Sequence, residues 1–86
     1  MTKFVNDLNE TGISFEEVSD IYSVYSKLLN KAFDLNLDFS KILAEEEVLN
    51  IAKKVKEGQS IKDSFKEMIN KSSAAKEVKV TLKNLL

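Results

Sequence analysis

The sequence predicts an all-α domain, a compact bundle of four or five short helices, and three observations carry that expectation. The 86 residues contain no Pro and only two Gly, so almost nothing interrupts regular structure. Apolar residues recur at three- and four-residue spacing along most of the chain, the period of one helical face. Ser14 is followed three residues later by Glu17, a capping box in which each residue satisfies a free N–H group at a helix start.

A short opening helix takes Thr2 as its cap and places Phe4, Val5 and Leu8 on one face, with Gly12 as the left-handed stop. The capping box opens the central helix, and Ile13 just before it packs on Val18 as a hydrophobic staple. From Phe15 onward Val18, Ile21, Tyr22, Tyr25, Leu28, Leu29 and Ala32 share a face. Val24, Phe33 and Leu35 widen that stripe, which calls for at least two packing neighbours. Asn36 suits the left-handed position that ends the helix, and Asp38 caps the next, with Leu37 stapled onto Ile42.

The third helix is expected from Phe39 to Glu57, carrying Ile42, Val48, Leu49, Ala52 and Val55 inward until Gly58 stops it. Ser60 then caps a fourth, with Ile61, Phe65, Met68 and Ile69 buried and Asp63 complementing the positive end of the helix dipole. The segment from Ala74 to Leu86 fits either a helix or a half-buried strand. Helix is the expectation, because no second strand pattern exists to pair its backbone. Its large apolar residues, Val78, Val80, Leu82, Leu85 and Leu86, must be covered by the bundle or by a second copy, since each costs about 1.5 to 3 kcal/mol if left in water.

Composition narrows function by what it omits. There is no His, Cys or Trp, and all thirteen basic residues are Lys. The commonest zinc ligands and the usual imidazole or thiolate bases are therefore missing, as is the bidentate fork that reads phosphate or guanine. No catalytic, metal-binding or cofactor-binding set is expected, and the chain reads as a binder and not an enzyme. Neither a membrane span nor a secretory leader is expected, which points to the cytoplasm. The Lys-for-Arg usage with seven Asn is the pattern of AT-rich codons, as in low-GC bacteria and their phages.

Charge is segregated along the chain. Residues 1 to 50 hold four Lys and ten acidic residues, net −6, whereas residues 51 to 86 hold nine Lys and four acidic residues, net +5. The densest acidic run is Glu45, Glu46 and Glu47; neighbours on a helix diverge by about 100°, so the three read as a solvated face or an acidic partner-binding patch, not a metal cage. The basic half, from Lys53 to Lys83, supplies nonspecific attraction to phosphate but little base readout. Asp38-Phe39-Ser40 departs from the Asp-Ser-Leu of acyl carrier proteins and reads as a helix cap.

The functional expectation is a small helical protein-protein interaction module, a regulator, inhibitor or adaptor of a larger protein. The candidate contacts are Tyr22, Tyr25 and Phe33 on the central stripe, Glu45, Glu46 and Glu47, and the terminal Leu82, Leu85 and Leu86. A homo-oligomer is a further expected association. The alternative is a nucleic-acid-binding regulator that uses the Lys-rich half.

Overall fold

The structure, a computed structural model, describes residues 2–86, the side chain of Thr2 excepted. The described residues form helices and no strand, in the order α1 (Thr2–Glu10), α2 (Phe15–Asp34), α3 (Phe39–Ile42), α4 (Glu45–Lys56), α5 (Ile61–Lys71) and α6 (Lys76–Lys83). The predicted all-α class therefore holds. The expected cap at Thr2 rests on a side chain outside the described residues.

Local signals set most of the boundaries. At the start of α2 the Glu17 amide donates to Ser14 Oγ at 3.1 Å and the Ser14 amide donates to Glu17 Oε1 at 3.0 Å, so the capping box closes in both directions. At its end Asn36 takes a φ of 58°. The Leu37 amide then reaches back to the Ala32 carbonyl at 2.8 Å and the Asn36 amide to that of Phe33 at 3.1 Å, the paired bonds of a Schellman stop. Gly58, with a φ of 110°, repeats the arrangement after α4 through Gln59 to Lys54 and Gly58 to Val55. Ser60 caps α5 by accepting from the Asp63 amide.

One boundary differs from expectation. The helix predicted over Phe39–Glu57 is broken, because Leu43 (φ −150°, ψ 94°) and Ala44 (φ −73°, ψ 159°) are extended. The reason is phase. On one continuous helix Phe39, Ile42 and Leu43 would point to nearly the opposite side from Val48, Ile51, Ala52 and Val55, yet all seven are buried. The break turns α4 about its axis so that both sets face inward. It also puts the three glutamates in the first turn of α4 and Lys53, Lys54 and Lys56 in the last, each complementing the dipole end it meets. Ala44 has no side-chain acceptor, but its amide donates to Glu47 Oε1 at 3.0 Å, half of a capping box.

α4 is the hub of the core and packs against α1, α2 and α5. Leu8, Ile21, Leu28, Leu43, Val48, Ile51, Phe65, Ile69 and Leu82 are fully enclosed. Ser64, the one buried polar residue among those described, donates its hydroxyl to the Ser60 carbonyl at 2.8 Å. Between α4 and α5, Glu67 accepts from Lys54, Gln59 and Lys71. Those donors, the Lys54 ammonium first, hold its carboxyl at about 2, well below its ordinary 4.5, so the clamp stays charged through the neutral and mildly acidic range.

The terminal segment docks as a helix, as expected. Lys79 donates to the Asn70 carbonyl at 2.8 Å and Lys83 to Asn70 Oδ1 at 2.7 Å, while Leu82 enters the core and Val78, Leu85 and Leu86 lie partly buried against it. The bundle itself covers this segment, and only Val80 among its large apolar residues remains exposed. Thermal or urea unfolding of two variants tests that docking. Leu82→Ala is expected to lose about 2 to 5 kcal/mol, whereas Val80→Ala should change stability by less than about 1 kcal/mol; equal small effects would show that α6 lies loosely on the bundle.

Candidate protein-binding groove

The break before α4 leaves a groove between it, α3 and the C-terminal half of α2. On α2, Tyr25, Leu29 and Phe33 lie at four-residue spacing and line one wall. Leu37, Phe39 and Leu43 line the other side, and Asp38, Glu45 and Glu46 stand around the edge. The cavity measures about 590 Å³ and opens to solvent, so its apolar lining meets water unless something fills it.

Aromatic packing fixes its floor. Tyr25 stands between Phe4 of α1, with ring centroids 5.1 Å apart, and Phe39 of α3, at 5.5 Å, both tilted, a favoured arrangement of ring quadrupoles. Burial raises the Tyr25 hydroxyl above its ordinary pKa of 10.0, and the nearby carboxylate of Glu45 and then Tyr22 push in the same direction. Phe33 is not held in this way. It projects from the rim with 81% of its surface exposed.

The acidic edge has two kinds of member. Asp38 is committed to structure, since its Oδ1 accepts from the Ser40 amide at 3.2 Å and the Ser40 hydroxyl at 2.6 Å, bonds that lower its pKa, with the hydroxyl bond contributing most. Ser40 is thus absorbed in the cap that Asp38-Phe39-Ser40 was expected to form. Glu45 and Glu46 are exposed in the first turn of α4. They present carboxylates beside an apolar floor.

Of the residues the sequence singled out, Tyr25, Phe33, Glu45 and Glu46 converge on this groove. Tyr22 is half-buried beside Phe4, ring centroids 6.5 Å apart, and does not line it. Glu47 is turned to the Ala44 amide. Leu82 is fully buried in the chain's own core, so it is a structural residue and not a surface contact, and Leu85 and Leu86 pack partly against that core. Sequence reasoning missed Leu37, Asp38, Phe39 and Leu43 as groove residues. Asp38 was visible only as a cap, Leu37 as a staple and Phe39 as a helix start, and Leu43 was not singled out.

Among the described residues no group of three or more His, Cys, Asp and Glu is placed to hold a metal ion, and no helix is long and apolar enough to cross a membrane. Alkaline titration followed by tyrosinate absorbance tests the groove's electrostatics, with Tyr22→Phe assigning the signal to Tyr25. Its midpoint is expected above 10.0 and should fall in Glu45→Gln, because a like charge no longer opposes ionisation. An unchanged midpoint would separate Glu45 from the groove floor.

No protein-family model, curated protein or solved structure matches this chain, so what the groove can bind follows from its own residues.

Proposed function

We propose that the protein is a small helical interaction module, a regulator, inhibitor or adaptor, whose groove takes an apolar segment of a larger protein flanked by Lys or Arg. The observation that supports this is the pairing of an apolar floor, Tyr25, Leu29, Leu37, Phe39 and Leu43, with the exposed carboxylates of Glu45 and Glu46 at its edge. An amphipathic helix laid in a groove uses anchors at three- and four-residue spacing. Opposite charge at the rim then steers its approach and fixes its direction.

The groove offers carboxylates open to water and one phenol of raised pKa, a set suited to recognition and not to proton transfer near neutral pH. Its acidic rim repels phosphate. In the basic half, Lys54 and Lys71 are engaged with Glu67, and Lys79 and Lys83 with Asn70, which leaves fewer ammonium groups to follow a nucleic-acid backbone. We place the module in the cytoplasm, and its Lys-for-Arg and Asn-rich usage fits a low-GC bacterium, with a phage or mobile element as the source.

Selection from a displayed peptide library, followed by fluorescence anisotropy on the full chain, tests the reading. Selected peptides should carry two or more large apolar residues at helical spacing beside Lys or Arg, and the double reversal Glu45→Lys, Glu46→Lys should weaken them about tenfold. No enrichment, or affinity indifferent to the reversal, contradicts it. Duplex DNA or RNA binding that falls steeply with salt would instead support the nucleic-acid alternative.

A further inference from the structure

The groove has a neighbour across α3. A second hollow of about 280 Å³ lies between α3 and the start of α6, and its apolar lining is Leu37, Ile42, Ala74, Ala75 and Val78. Leu37 and Asp38 line both hollows, so the two adjoin at the turn between α2 and α3. The short α3 is divided between them, with Phe39 and Ser40 lining the groove and Lys41 and Ile42 the second hollow.

The two hollows differ in charge. The groove lining holds Asp38, Glu45 and Glu46 and no Lys, whereas Lys41 is the one cation that lines the second hollow. Asp38, which the hollows share, is committed to Ser40, whose amide and hydroxyl both donate to its Oδ1. Among the described residues the exposed Lys41 makes no ion pair with it or with any other carboxylate. Its ammonium is open to an anion from outside the chain.

We infer that the apolar segment which fills the groove continues across Leu37 into the second hollow, where it seats another apolar side chain and sets an Asp or Glu against Lys41. The ligand is then bipolar, basic at the Glu45 and Glu46 end and acidic at the Lys41 end. That order fixes the direction in which it lies, because the reversed segment would meet like charge at both ends. The width of α3 sets the spacing of its anchors. A helix about 10 Å across separates the hollows, and on a helical ligand side chains seven residues apart share a face about 10.5 Å apart along the axis. One such anchor reaches each hollow, the spacing by which amphipathic helices are read in grooves.

The inference rests on the proposed peptide-binding groove, and separate variants report on its two halves. Peptides of about twenty residues, roughly 30 Å long as a helix, are selected on the full chain and their affinity is read by fluorescence anisotropy. Ala75→Phe, at an exposed position, fills the second hollow and should weaken a selected peptide about tenfold. Lys41→Glu should weaken it about fivefold, and exchanging the peptide's acidic residue for Lys should restore binding to that variant. When the peptide is added to the wild-type chain, backbone amide shifts should move at residues 73–78 as well as around the groove. A peptide lost to Glu45→Lys with Glu46→Lys but indifferent to Ala75→Phe and Lys41→Glu, with shifts confined to the groove, overturns the inference and leaves the groove reading standing. A library that yields no peptide overturns both.

Discussion

Residues 39 to 55 hold two apolar sets that one helix cannot bury together. Phe39, Ile42 and Leu43 precede Val48, Ile51, Ala52 and Val55 by a spacing that sets them on nearly opposite faces. Burying a large aliphatic side chain stabilises by about 1.5 to 3 kcal/mol, so exposing either set costs more than an interrupted helix does. The chain resolves the conflict by extending Leu43 and Ala44. Everything that packs on α4, including α1, α2 and α5, depends on the turn this gives it.

The groove is a consequence of the same break. A continuous helix would turn Glu45 away from Leu43, while two short helices meeting at an extended pair leave a hollow with Leu43 and Phe39 at its side and the carboxylates of Glu45 and Glu46 at its edge. The acidic run thus has two roles from one placement. Its position in the first turn stabilises α4 through the dipole, and its exposure gives the hollow a charge. α2 is likewise shared: Val18, Ile21, Leu28 and Ala32 build the core, while Tyr25, Leu29 and Phe33 wall the groove.

Much of this was legible because it is local. The capping box at Ser14, the left-handed stops at Asn36 and Gly58 and the cap at Ser60 need only neighbouring residues, and each is formed as read. The terminal helix was legible by a different route, since a lone strand has no partner for its backbone groups. The break at Leu43 was missed because neither Gly, Pro nor a Ser or Asp cap marks it. It shows only when the phases of the two apolar sets are compared. Tyr25, Phe33, Glu45 and Glu46 were each visible as candidates, but nothing in their order says that they share one groove; the turn of α4 brings them together. Leu82 was misread as a contact because an apolar residue near a terminus looks the same whether its cover is its own bundle or another chain.

Unfolding of Ala44→Ser by urea tests the central claim most directly. If Ala44 is the cap of a separate α4, a serine there completes the capping box that Glu47 already half forms and should raise stability by about 0.5 to 2 kcal/mol. If residues 39 to 57 were one helix, the same serine would sit in its interior, where it is a poorer helix former than alanine by about 0.5 kcal/mol. A gain supports the break and the groove that follows from it, and a loss contradicts both.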